Sequence, residues 1–186
     1  MAKRARDTLT GGSGDVNPQT MIMTQSAAVS GAAGQARVTV GLPIPRLPTP
    51  NGKSLVMEIL WVEFVHRGLT ATAAATASYY MSVTTNPSAP ASITAATQDP
   101  RTVADWSHEV TASAAPTAFW DVEGITEVDL TDQAGHGFLI ATDNLFMDIF
   151  TSGPAAANIT APTARIGYRF KLVSLTEYVG IVQSQQ

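Results

Sequence analysis

Apolar and polar positions alternate with period two in a series of short segments beginning near residue 36, the pattern of strands that bury one face. Over 36–42, Val38 and Val40 fall on one face and Arg37 and Thr39 on the other. Segment 55–65, LVMEILWVEFV, departs from this alternation, because nine of its eleven residues are apolar. Such a run predicts a strand covered on both faces, or one lying beneath a neighbouring element. Trp61, near its centre, is expected to be largely buried. Further strands are predicted over 76–84 (Tyr79, Tyr80, Met81, Val83), 103–111 (Trp106, Val110) and 118–130 (Phe119, Trp120, Val122, Ile125, Val128), the last broken at Gly124. Segments 137–141 and 145–151 flank Thr142-Asp143-Asn144, whose Asp and Asn tolerate the left-handed backbone of a tight hairpin. A strand over 163–173 brings the count to eight.

The connections are rich in residues that break regular structure. Pro43, Pro45, Pro48 and Pro50 alternate through one of them, which removes ladder donors and stiffens the chain. Segments 86–100 and 152–162 read as surface loops of Ala, Pro, Ser and Thr. Helical patterning is weak except at Ser174-Leu175-Thr176-Glu177, a capping box in which hydroxyl and carboxylate satisfy exposed backbone donors, with Gly180 expected to keep the helix short. Residues 1–19 hold Lys3, Arg4 and Arg6, then Gly11, Gly12, Ser13, Gly14 and Pro18, and read as a flexible basic and glycine-rich arm. Residues 20–186 form one domain. Eight antiparallel strands without crossover helices mean a sandwich or a barrel. The long connections favour the all-β, eight-stranded antiparallel jelly-roll sandwich, since an up-and-down barrel needs mostly tight hairpins.

Composition narrows the function. The net charge is -4 and charged residues make up 14% of the 186-residue chain, against a typical figure of about 25%. A disordered charged tail is excluded, and so is a strongly basic nucleic-acid-binding domain. With no cysteine, disulfides, thiolate catalysis and Cys-based zinc sites are excluded as well. So little charge leaves much uncharged surface, and burying it against copies of the same chain is one resolution. The basic start is followed by the polar stretch DTLTGGSGD instead of the apolar core of a signal peptide. The 55–65 run is interrupted by Glu58 and Glu63 and is too short to span a bilayer. No membrane partner is expected.

Candidate chemistry is sparse. His66, His108 and His136 have no metal-ligand spacing, and neither a GxSxG elbow nor a GxxxxGK[ST] loop occurs. No catalytic residue, metal site or cofactor is predicted. Asp121, Glu123, Glu127, Asp129 and Asp132 cluster, but as a solvated strand edge rather than a calcium loop. Six of the eleven basic residues lie in two places. Lys3, Arg4 and Arg6 sit on the arm, where tethered cations can reach phosphates without fixed geometry. Arg165, Arg169 and Lys171 share one face of the last strand with Gly167, opposite Ile166, Tyr168, Phe170 and Leu172. That cationic stripe can meet nucleic acid, acids of a neighbouring subunit, or water. These six residues are the candidate nucleic-acid contacts.

A short basic, Gly-linked arm ahead of a jelly roll with Ala/Thr/Pro-rich loops resembles the single-jelly-roll capsid proteins of small icosahedral viruses. The stretches GHGFLIATDN (135–144), RIGYRFK (165–171) and VSLTEYVGIVQSQ (173–185) are similar to capsid proteins of circular Rep-encoding single-stranded DNA viruses. The resemblance implies a virion protein, made in the host cytoplasm or nucleus, that assembles with itself around viral nucleic acid, single-stranded DNA by this likeness. The arm departs from that pattern, being short of the arginines such proteins carry. In a shell of about sixty copies the arms supply roughly 180 positive charges, against on the order of a thousand phosphates or more in even a small genome. The alternative reading is a trimeric jelly-roll decoration or carbohydrate-binding module.

Overall fold

The computed structural model describes residues 21–26, 29–30, 34–44, 53–71, 76–87, 99, 101–111, 124–153 and 157–184. The arm over 1–19 and segment 118–123, with Asp121 and Glu123, lie outside these residues. The described strands are β1 (Met21–Ser26), β2 (Val29–Ser30), β3 (Gly34–Pro43), β4 (Lys53–Ala71), β5 (Thr76–Thr84), β6 (Thr102–Thr111), β7 (Gly124–Asp129), β8 (Phe138–Ile140), β9 (Asn144–Gly153) and β10 (Ala157–Ser174). One helix, α1 (Leu175–Ser184), follows.

The pairings are nested. β1 and β2 pair with β10, β3 with β9, β7 and β8 with β4, and β5 with β6, all antiparallel. Two further ladders, β4 with β10 and β5 with β9, join these pairs into sheets of order β1-β10-β4-β7 and β3-β9-β5-β6. This is the expected jelly-roll sandwich. The first of these sheets is called sheet A below and the second sheet B.

Eight strand positions are filled by ten segments, and not by the eight that the pattern suggests. β7 pairs with Trp61–His66 and β8 with Met57–Ile59, so they are successive halves of one edge strand interrupted by a loop over 130–137. The opposite edge is likewise shared by β1 and β2, which the alternation pattern misses. They are short, six and two residues, too short for alternation to register, and pairing with β10 defines them as strands. Thr142–Asn144 is not a hairpin turn. β8 belongs to sheet A and β9 to sheet B, so the chain changes sheets there, as jelly-roll topology demands. Segment 152–162 is not wholly a loop either, because β9 runs to Gly153 and β10 starts at Ala157. Pro43 ends β3, an edge strand, where a missing donor is tolerated.

The core lies between the sheets. Met57, Ile59, Val62 and Phe64 of β4 meet Tyr79, Met81 and Val83 of β5, Leu145, Met147 and Ile149 of β9, and Ile166, Tyr168 and Phe170 of β10. Each fully buried side chain of this kind contributes about 1.5–3 kcal/mol. Near the end of this layer, the buried His66 ring stacks on Trp106 with centroids 4.2 Å apart.

Trp61 is not part of this layer. Pairing runs Gly167 to Trp61 and then Tyr168 to Ile59, which leaves Leu60 as an extra residue in a β-bulge. One added residue reverses the alternation. Ile59 and Val62 both point inward, and Trp61 turns to the outer face of sheet A, half-buried. There its indole lies across Gly167, where a Cβ would stand 2.1 Å from the ring.

The other half of the outer face is covered by α1. Ser174 Oγ accepts the Glu177 N–H at 3.2 Å, as the capping box predicts. The helix continues past Gly180, because Tyr178, Ile181 and Val182 pack on Val56, Ala141 and Val173, and this apolar contact outweighs the low helix propensity of one glycine.

Phe64→Ala should lower unfolding free energy by about 3–5 kcal/mol, and Trp61→Ala by less, in urea titrations followed by circular dichroism. Gly167→Ala should destabilise by about 1–3 kcal/mol. In the Trp61→Ala background that penalty should vanish.

Candidate functional site

The alternation of β10 places Arg165, Arg169 and Lys171 on the outer face of sheet A, as its sequence dictates. Their partners come from β4. In the registered ladder Arg165 lies opposite Glu63, Arg169 opposite Glu58, and Lys171 opposite Val56, one pleat from Glu58. Arg165 Nη1 donates to Glu63 Oε1 at 2.6 Å. Arg169 Nε donates to Glu58 Oε2, and Lys171 Nζ donates to Glu58 Oε1 at 3.1 Å. The stripe is therefore paired with carboxylates of its own chain.

Glu58 is the centre of the arrangement, and its side chain is 0% exposed. The 130–137 loop closes over it. The Gly137 N–H donates to Glu58 Oε1 at 3.0 Å, and Arg169 Nη2 donates to the Gly135 carbonyl at 3.1 Å. Lys171 Nζ also lies 3.3 Å from His136 Nδ1. Gly137 must be glycine here, since a Cβ would stand 2.1 Å from the Ile59 carbonyl oxygen. The bulge takes part too, for the Leu130 N–H donates to the Leu60 carbonyl at 2.9 Å. The loop is held internally by Asp132, whose carboxylate accepts the N–H groups of Ala134 and His136 at 2.9 and 2.8 Å. Gly135 adopts a φ of 81°, the left-handed conformation glycine supplies without strain.

Burial alone pushes the Glu58 carboxyl up. Hydrogen bonds from Arg169, Gly137 and Lys171 and the Arg169 charge outweigh it and hold Glu58 below the usual glutamate value. Asp132 is lowered chiefly by the His136 N–H; burial opposes this, and the Ala134 N–H and the His136 charge add to the lowering. Asp129 is lowered chiefly by the Thr131 hydroxyl and backbone N–H. The acids of 124–132 that lie among the described residues thus face solvent or bond within the loop, and the carboxylates that meet the stripe are Glu58 and Glu63. Sequence reasoning passed over Glu58 as an interruption of an apolar run. The acids are five residues apart and their partner arginines four, a mismatch that only the bulge at Leu60 reconciles, so spacing alone gave no signal.

Lys3, Arg4 and Arg6 lie outside the described residues. A second buried carboxylate, Asp148 of β9, accepts from Arg37 Nη2 at 2.8 Å, from the Thr39 hydroxyl, and from Thr84 Oγ1 at 3.3 Å. It joins β3, β9 and β5 on the outer face of sheet B.

No family model matches the chain, and no curated protein matches it. Solved structures do. The chain is similar to the unassembled VP1 pentamer of KI polyomavirus at 12% identity and a TM-score of 0.53, over 87% of this chain and 98% of that one. The VP1 pentamer of human polyomavirus 7 is similar at 9% identity and a TM-score of 0.51, over 86% and 99%. The shared property is the fold. At such identities the likeness extends to the two-sheet sandwich and not to individual side chains.

Glu58→Gln should cost about 3 kcal/mol at neutral pH, because two cations would keep their positions without a counter-charge. Glu58 titrates lower in the folded than in the unfolded chain, so its contribution is complete above the ordinary value of 4.5 and is lost as pH falls through the folded value. Urea midpoints of wild type and Glu58→Gln should therefore differ at pH 7 and converge in acid.

Proposed function

We propose that this chain is the coat protein of a small icosahedral virus, which assembles with itself into a closed shell around the viral genome. The nested jelly-roll topology carries the reading, together with its likeness to VP1, a protein that forms pentamers. Composition supports it. Charged residues are 14% of the chain, and Ile22 and Ile125 are 54% and 67% exposed on the outer face of sheet A. Apolar, weakly charged surface suits broad subunit contacts. The role is structural rather than catalytic, and its place is the virion. Twelve five-fold rings would close a shell of about sixty copies.

The genome-facing element of this proposal is the arm, whose Lys3, Arg4 and Arg6 offer charge on a tether. The likeness of the C-terminal segments to proteins of circular single-stranded DNA viruses supports DNA as the cargo. On β10, Arg165, Arg169 and Lys171 outnumber Glu58 and Glu63 by one, so the stripe contributes little net charge while those pairs are closed. Polyamines or metal ions would supply much of the remaining neutralisation.

Negative-stain microscopy and light scattering of the purified protein at micromolar concentration should show closed particles. A monomer alone would overturn the shell. Removing residues 1–14 should leave particles intact and lower their 260/280 nm absorbance ratio. An unchanged ratio would take the arm out of genome binding.

A further inference from the structure

The Glu58 carboxylate meets Arg169 and Lys171 as an anionic oxygen of a phosphodiester would. It accepts one charge-assisted bond from each, and the loop over 130–137 closes over the fully buried carboxylate while Arg169 and Lys171 stay 17% and 13% exposed. Two cations face one carboxylate, so the closed cluster keeps a surplus positive charge. Arg169 and Lys171 stand two residues apart on one face of β10, about 7 Å along the strand, a span that neighbouring phosphates of a single strand can cover. Hydrogen bonds to Gly135, Gly137 and Leu130 hold the lid, together with the Lys171–His136 contact. Two of these, the Gly135 and His136 contacts, sit at the surface, where local opening requires little free energy.

We propose that Glu58 and the 130–137 loop act as an internal phosphate mimic, and that lifting the loop exposes Arg169 and Lys171 as a latent site for the phosphate backbone of single-stranded nucleic acid. The proposal rests on the reading of the chain as a genome-enclosing coat protein and gives the β10 stripe a conditional role in it. In the closed state both cations are committed to Glu58 and offer phosphate only a weak residual charge. In the open state they add two backbone contacts to those of the arm, while Glu58 gains access to water. Crowding of phosphates inside a filling shell favours the open state by mass action. The groups facing the cluster are Glu58 from β4, Arg169 and Lys171 from β10, and His136 with Asp132 from the loop.

The test uses the full chain and its Asp132→Ala variant. Asp132 is exposed and ties the loop to itself, so its loss loosens the lid without touching the core. Glu58→Gln, which removes the mimic itself, is the second variant. Each is titrated with a 20-nucleotide oligothymidylate and, separately, with inorganic polyphosphate across a range of salt, and hydrogen exchange is followed over 130–137. Both variants should exchange faster in the loop and bind the oligonucleotide about tenfold more tightly. The log–log salt dependence should steepen by about 1.4, the value for two added phosphate contacts on a single strand. Adding Arg169→Gln and Lys171→Gln should erase the gain. Unchanged affinity despite faster exchange overturns the proposal, and so does unchanged exchange in both variants. A gain for polyphosphate alone overturns the nucleic-acid assignment. Particle formation by wild type, read by light scattering, is independent of these outcomes and separates failure of this site from failure of the shell.

Discussion

The ladder between β4 and β10 is the constraint on which the rest depends. It runs from Ala157 opposite Ala71 to Ser174 opposite Lys53 and forms the centre of sheet A. Both edge strands of that sheet hang from it, β1 and β2 on β10, β7 and β8 on β4. The inner faces of the two central strands supply much of the core. Their outer faces carry the charge cluster, and the C-terminal helix packs beside it. Slipping this register by one residue would turn Ile166, Tyr168 and Phe170 outward and bring Arg165, Arg169 and Lys171 into the core. Hydrophobic burial and ion pairing thus select the same register from opposite faces.

The bulge at Leu60 lets one strand serve two purposes. On the Lys53 side of it, Val56 and Glu58 face outward, under α1 and under the 130–137 loop. On the far side, Trp61 and Glu63 face outward instead. At this same point the edge strand opposite breaks between Asp129 and Phe138, and the freed segment folds over Glu58. The backbone irregularity, the loop and the buried carboxylate are parts of one local solution. A flat ladder would leave no carbonyl at Leu60 to receive the loop. Burying Glu58 is tolerable because Arg169, Lys171 and the Gly137 N–H all donate to it, so no charge is left unsatisfied. The network contributes less to net stability than to defining one geometry.

Few charged residues are spread over this molecule, 14% of the chain, and several of them pair with one another. Of its cations, Arg165, Arg169 and Lys171 are neutralised by carboxylates on β4, and Arg37 by Asp148 on β9. Among the described residues, Ile22 and Ile125 stand exposed on the outer face of sheet A, and the acids Glu127, Asp129 and Asp132 remain exposed on β7 and the loop that follows it.

Much of this was legible from local pattern. Period-two alternation marked β3, β5, β6 and β9 to within two residues and the C-terminal two-thirds of β10, because each buries one face and the sequence must record which. The apolar run of β4 announced a strand covered on both sides, and Ser174 with Glu177 announced the start of α1. The cationic face of β10 was equally plain. Other features depend on contacts distant in sequence and leave no local trace. The apolar run around Trp61 predicts burial, but the bulge that turns it to the outer face, half-buried, exists only in the pairing with β10. Thr142–Asn144 has the chemistry of a turn, yet which sheet receives the next strand is set by the pairing of β9 with β3 and β5. The edge strands β1 and β2 are short segments recognised by their pairing with β10. Glu58 meets Arg169 across 111 residues of chain. The sequence alone determined which faces are apolar and which charged, whereas only the tertiary structure decided which charges meet, since that follows from register.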